Sequence, residues 1–195
     1  MESEWVVTPQ LALAICNAAS DLPTLIQSSD LSRVAPVWYG DCVFSLERMA
    51  DIADEMNPLH LAHWKETEAH RHDLPFNPDY ATFIRYEQAG QYVLFTIRVN
   101  GKLVGNCAMY LHRSTHTQTL TATEDTLYLL PDARKGRRAM AFIRYCEDAL
   151  YQLGVKEINV SVKTVNKAER FFRMAGYRHV ENGLTKILEE ANVQQ

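Results

Sequence analysis

Two hydrophobic periods divide this chain. Up to about residue 90 the apolar positions recur mostly at helical spacing, and from Gln91 they alternate. Residues 9–19 (Pro-Gln-Leu-Ala-Leu-Ala-Ile-Cys-Asn-Ala-Ala) predict a helix with Pro9 in its first turn. The run 37–46 predicts a first strand. Residues 50–70 hold helical spacing, and Asn57-Pro58 is expected to break it into two helices. Asn77-Pro78-Asp79 starts another helix that carries Phe83, Ile84 and Tyr86. Two alternating runs, 92–99 and 102–111, flank Asn100-Gly101 and so predict a β-hairpin. A third strand, about 117–130, follows the polar turn 113–116. Next come a helix over 140–150, a strand over 154–162, a short amphipathic helix over 166–177 that Gly176 closes, and a last strand over 184–188. Tyr177 is expected to begin a strand after that glycine. This order gives an α+β fold: a mixed, mostly antiparallel central sheet flanked by helices, with an N-terminal helical extension.

Composition narrows the picture. A length of 195 residues fits one domain over 36–195 with an appendage over 1–35. A hydrophobic content of 47% supports an ordinary core. The net charge of −4 argues against duplex nucleic acid, whose phosphates require a broad basic surface. Cys16, Cys42, Cys107 and Cys146 show no CxxC spacing and read as reduced, mostly buried thiols. No apolar run reaches the length of a membrane span, and the acidic start Met-Glu-Ser-Glu-Trp is unlike a signal peptide. A cytoplasmic location is the expectation.

The most informative stretch is Pro131-Asp-Ala-Arg-Lys-Gly-Arg-Arg-Ala139. A strand breaks at Pro131, passes through a basic turn with a glycine and enters a helix. The unpaired N–H groups and positive dipole end at a helix start suit an anion such as phosphate. Arg134, Lys135, Arg137 and Arg138 crowd the same turn.

With the helix, strand and helix that follow, this stretch resembles the GNAT superfamily of N-acetyltransferases. Their coenzyme A loop has the form Arg/Gln-x-x-Gly-x-Gly/Ala. Arg134-x-x-Arg137-x-Ala139 takes that frame, with the glycine one place early at Gly136. The Arg-Lys-Gly order resembles variants carried by tailed phages. Asn166-x-Ala168 with Gly176-Tyr177 resembles the family's late motif, and 184–188 its last strand. The resemblance covers about residues 95–188. It implies acetyl-CoA as co-substrate, held by the backbone of Leu127, Leu129 and Leu130, by the turn Arg134, Lys135, Gly136, Arg137, Arg138 and Ala139, and by Asn166. It implies direct transfer of acetyl to an amine of a small molecule or protein, in the host cytoplasm if phage-encoded. Arg137 stands where the family has bare glycine backbone. The position of the family's tyrosine general acid falls on Phe172, which cannot donate a proton.

Amine activation needs a base, and Glu124-Asp125 lies in the strand that leads to the loop. Neighbouring strand residues face opposite sides, so at most one of the two faces a pocket. Distance from Arg134 favours Asp125, and a strand bulge would move the register. Tyr145 and Tyr177 are alternative acids that read better as packing residues. His60-x-x-His63, with His70 and His72, lacks the glutamate of a metalloprotease helix and gives no metal site. That helical segment instead borders the acceptor pocket, as the resemblance implies. Cys146 fits a half-buried core position rather than a nucleophile. Two other functions compete: a CoA-binding or host-directed interaction protein with little catalysis, and modification of nucleotides or DNA bases. A second copy of the chain is a further candidate partner.

Overall fold

The computed structural model describes residues 25–69, 75–164, 166 and 168–186. The expected helix over 9–19, Cys16, His70 and His72 lie outside these. The chain forms two compact units, residues 1–161 and 162–195.

The first unit is built on one six-stranded sheet in the order β1-β2-β3-β4-β5-β6. The strands are β1 (Val37–Tyr39), β2 (Cys42–Glu47), β3 (Tyr92–Val99), β4 (Lys102–Arg113), β5 (Leu120–Leu129) and β6 (Glu157–Asn159). Neighbours through β5 are antiparallel, and β6 joins β5 in parallel. A short α1 (Ser28–Leu31) precedes the sheet. Helices α2 (Met49–Thr67) and α3 (Tyr80–Gln88) lie between β2 and β3. After β5 come a 3-10 turn (Pro131–Arg134) and α4 (Arg138–Gln152).

Alternation along the strands sends side chains to two cores. Tyr92, Leu94, Leu103, Ala108 and Tyr128 pack with Met49, Ile52, Met56 and Leu59 of α2. On the other face Phe44 and Phe95 meet Phe142 and Tyr145 of α4. Arg98 ties β2, β3 and α2 together, with its guanidinium 2.9 Å from Glu47 and 2.8 Å from Glu55.

Four expectations need correction. The run 37–46 is two strands, because Gly40 takes φ +62° and turns the chain into a hairpin. Pro58 does not divide its helix: α2 runs through it. Pro58 and Asp54 are exposed, so water can serve the carbonyl that loses its partner, while the buried stripe of Met49, Ile52, Met56 and Leu59 holds the helix on the sheet. The strand over 154–162 shrinks to the three residues of β6, paired only with Thr121–Thr123. Residues 177–186 form no strand, and Leu184 is fully exposed, so no buried face requires a strand there. Residues 187 and 188 lie outside the described part. The Asn100-Gly101 hairpin forms as predicted, with φ +50° and +79° at the turn.

In the second unit α5 (Ala168–Ala175) buries Phe172 against Phe171 and Tyr177, with ring centroids 5.4 and 5.1 Å away. Asn166 Oδ1 accepts the Ala168 amide at 2.9 Å, so its side chain caps this helix.

Candidate active site

The site begins at an irregularity in β5. Ala108 pairs with Thr126, but the next residue of β4, Met109, pairs with Glu124. Asp125 is therefore the extra residue of a β-bulge. It faces the α2/α3 side, where Tyr92 donates its phenol proton to Asp125 Oδ2 at 3.1 Å. Burial pushes the Asp125 carboxyl above its usual range, and the Tyr92 bond opposes that rise only in part. Among the described residues no cation pairs with it. Glu124 behaves differently: its carboxylate accepts the Ser161 amide at 3.3 Å. The two carboxylates thus have different surroundings, and that of Asp125 is half-buried with a raised proton affinity.

Beside this bulge the edge of β5 is open. β6 pairs with β5 only through Thr123, so the edge from Glu124 to Leu129 lacks a neighbouring strand among the described residues. Leu130 donates its amide to Val104 O at 2.8 Å. By alternation the main-chain groups of Tyr128 face β4, and those of Leu127 and Leu129 face the open edge. Of the backbone positions expected to meet an extended ligand, Leu127 and the Leu129 amide point the right way. Leu130 is occupied on both sides, since its carbonyl accepts from Ala133.

The basic turn follows at once. Gly136 takes φ +64°, and no atom lies within 4 Å of where a Cβ would stand. Arg137 occupies the N-cap of α4 without a side-chain cap, which leaves the first amides of α4 to an external acceptor. The four cations of the turn do not act alike. Arg134 is committed: its guanidinium makes two bonds to Glu66 of α2 at 2.9 and 2.7 Å, donates to Leu129 O at 2.7 Å and lies 5.1 Å from the Tyr128 ring centroid. Arg138 binds Asp41 in the β1–β2 turn at 2.7 Å, and exposed Lys135 lies 3.1 Å from Asp132. Arg137 is exposed and has no ion-pair partner among the described residues. Ala139 sits in the first turn of α4. Leu127, Leu129, Lys135, Gly136, Arg137 and Ala139 thus line one edge-and-turn surface. Asn166 belongs to the second unit.

Aromatic residues complete the surroundings of Asp125. Tyr110 lies 5.1 Å from Tyr92 between ring centroids, and close enough to Asp125 for the carboxylate to disfavour its ionisation. Phe83 lies 5.3 Å from Tyr92 on its other side, and Tyr86 meets Tyr110 edge-on at 5.6 Å. His60 stacks on Tyr80 and shares a 3.2 Å hydrogen bond with its hydroxyl. Burial lowers the His60 pKa to about 4, with His63 adding to the fall, so it is neutral at pH 7. The signal for Tyr92 and Tyr110 was present in the period-two runs. Counting outward from the hairpin turn, however, pairs Tyr92 with Met109. A bulge between Ile97 and Arg98 shifts the register and brings Tyr110 opposite Tyr92.

The described residues contain no metal-ligating group of three or more. Cys42, Cys107 and Cys146 are free and buried, and burial raises the Cys146 thiol, which makes it an inert core residue. Tyr145 is buried against Phe44 and Phe95. No described helix is long and apolar enough to cross a membrane.

Comparison with known proteins agrees with this geometry. None of the curated proteins matches the chain in sequence. An aminoglycoside acetyltransferase from an uncultured soil metagenomic sample is similar in structure at 14% identity, with 76% of this chain and 97% of that one covered and a TM-score of 0.63. A ribosomal-protein-alanine N-acetyltransferase from Brucella melitensis biovar Abortus 2308 matches at 20% identity, 75% and 99% coverage and a TM-score of 0.56. Glucosamine-6-phosphate N-acetyltransferase from Arabidopsis thaliana matches at 11%, 75% and 99%, with a TM-score of 0.57. At such identities these structures establish the fold alone. The profile of the Acetyltransferase (GNAT) family, however, matches residues 49–177, from the start of α2 through β3–β6 to just past α5, and on that span the chain belongs to the GNAT acetyltransferase family.

Proposed function

We propose that this protein is an acetyl-CoA-dependent N-acetyltransferase acting by direct transfer to an amine, with Asp125 as general base. The observation that carries this reading is the bulge. It sets a half-buried carboxylate, with no paired cation among the described residues, beside the open edge of β5, and that edge leads into the uncapped start of α4. These residues fit coenzyme A. Leu127 and the Leu129 amide would hold an extended pantetheine arm as an added strand would be held. The amides from Gly136 to Ala139, with Arg137, would hold the pyrophosphate. When bound, acetyl-CoA supplies an activated acyl group.

Asp125 takes a first proton from the substrate ammonium. The nitrogen then bonds the acetyl carbon as the carbon–sulfur bond breaks, and the second proton leaves nitrogen for the thiolate. Thiolate is a good enough leaving group that Phe172, at the expected acid position, does not block the reaction. Phe172 also favours a second reading, a CoA-binding or interaction protein with little turnover. The catalytic domain in this proposal is 36–195, with 1–35 as a helical extension. The Arg-Lys-Gly order of the loop supports the phage-type variant and a host-cytoplasmic setting. Incubation with isotopically labelled acetyl-CoA and a cell lysate, followed by mass spectrometry, tests the proposal. N-acetylated products are expected with the wild type and are expected to fall sharply with Asp125→Asn. CoA binding without any labelled product would leave the second reading in place.

A further inference from the structure

The surroundings of Asp125 have a chemistry of their own. Its carboxylate is held from below by the fully buried Tyr92, and no lysine or arginine answers its charge among the described residues. Around it the walls are rings. Tyr110 and Phe83 flank Tyr92 with centroids 5.1 and 5.3 Å away and tilted by 60° and 30°. Tyr86, 40% exposed on α3, meets Tyr110 edge-on and forms the rim. Tyr80 lies 6.2 Å from Phe83 and continues the wall inward. Asp125, Tyr110, Phe83 and Tyr80 are all partly exposed, so each keeps some surface in solvent while the rings also pack against the core. The nearest basic side chain of α3, Arg85, is turned onto Thr82 at 2.5 Å.

One carboxylate among ring faces attracts cations and repels anions. A ring quadrupole adds to the carboxylate's pull on an organic ammonium, and the same rings cover an apolar stem. A phosphate or carboxylate on the acceptor would meet Asp125 with no basic group among the described residues to balance it. We infer that the acceptor is a primary ammonium on an apolar or aromatic stem, without anionic groups, bound by Asp125 and the rings of Tyr110 and Tyr86. This inference rests on the proposed acetyl transfer for its name of acceptor, but the binding can be tested without turnover.

The probe is phenethyltrimethylammonium, which carries the charge and the ring and cannot be acetylated. Calorimetry on the full-length chain should show it binding. It should compete with phenethylamine in assays of acetyl transfer, while glucosamine 6-phosphate should be a far poorer acceptor than phenethylamine. Tyr110→Leu should weaken probe binding by about three- to thirtyfold, the range of a desolvated cation–ring contact. Tyr86→Leu, at an exposed rim position where folding is not at stake, should weaken it by a smaller factor. Probe binding with no transfer to any amine would support this inference and sink the acetyltransferase reading. Efficient transfer to glucosamine 6-phosphate, with no probe binding, would overturn the inference and leave the acetyltransferase reading standing. Binding that neither tyrosine variant alters would also overturn it.

Discussion

Asp125→Asn and Asp125→Ala should separate catalysis from architecture, and in opposite directions. Tyr92 is fully buried, and its phenol has Asp125 as acceptor. Asparagine keeps an oxygen for that bond, whereas alanine removes it. An orphaned buried hydroxyl costs about 1–3 kcal/mol, so the alanine protein should be less stable than the asparagine protein by that amount. For a domain of this size the gap corresponds to roughly 2–12 °C in Tm. The asparagine protein should also be more stable than wild type near neutral pH. The Asp125 pKa is raised in the folded state, so the native protein binds more protons than the unfolded one above the ordinary carboxylate value of 3.8. Stability associated with this group is therefore present at low pH and lost as pH rises through the folded pKa. Removing the charge relieves that loss. Activity should move the other way: loss of a general base costs about 10²–10⁴-fold in rate. The wild-type rate should rise with pH along one limb above the usual carboxylate range, and Asp125→Asn should flatten it. Tyr92 and Tyr110 face the same carboxylate, but both phenols are held above their ordinary pKa and stay neutral throughout that limb. Urea denaturation at pH 5 and pH 8 checks the stability arm, and a thiol-release assay checks the rate. An asparagine protein as unstable as the alanine protein would refute the Tyr92–Asp125 bond, and an unchanged pH profile would refute the base.

Other outcomes follow from the same structure. Glu124→Gln should change the rate little, because its carboxylate serves the Ser161 amide rather than the surroundings of Asp125, and kcat/KM measured beside Asp125→Asn checks this. Arg137→Ala should weaken CoA binding by about tenfold or more, as expected for a charged hydrogen bond, with the loss shrinking at high salt. Arg134→Ala should weaken binding with little dependence on salt, since its charge is already matched by Glu66; calorimetry at two ionic strengths distinguishes the two. Gly105→Ala should lower stability by about 1–3 kcal/mol, because its Cβ would stand 2.8 Å from the Tyr128 carbonyl oxygen and from side chains of Ile97 and Leu129; an unchanged urea midpoint would contradict this. His60 should stay neutral in NMR titration down to about pH 5. Because its pKa falls from 6.5 to about 4 on folding, its neutral form stabilises the protein above pH 6.5 and that contribution is lost as pH drops through 4.

Much of the architecture was readable because it rests on local chemistry. Asn100-Gly101 specifies its own turn, Asp79 accepts the Thr82 amide to start α3, and Gly136 marks the bend before α4. Asp125 could be singled out by its distance from Arg134. What escaped depends on distant parts of the chain. Glu66 and Arg134 lie 68 residues apart, and only the folded sheet brings them together. The Tyr92–Tyr110 pair was hidden by a bulge that offsets simple counting. Pro58 was misread because tertiary packing of one helix stripe outweighed a local breaker. The strand after Gly154 was misread because alternation reports a face to be buried, not the length over which a neighbour is present.

The bulge at Asp125 makes this site sensitive to chain length rather than to residue type. Along a strand, parity decides which side of the sheet a residue serves. One surplus residue in β5 lets Asp125 and Thr126 both serve the α2/α3 side, with Asn106 donating to Thr126 at 2.6 Å. Deleting a single residue between Glu124 and Thr126 would restore even spacing while leaving the rest of β5 in register with β4. Such a deletion would remove the carboxylate from its ring-lined surroundings and could yield a better-paired strand. Relatives that differ by one residue here would therefore be expected to differ in whether they have this base at all, even where every other residue of the strand is the same.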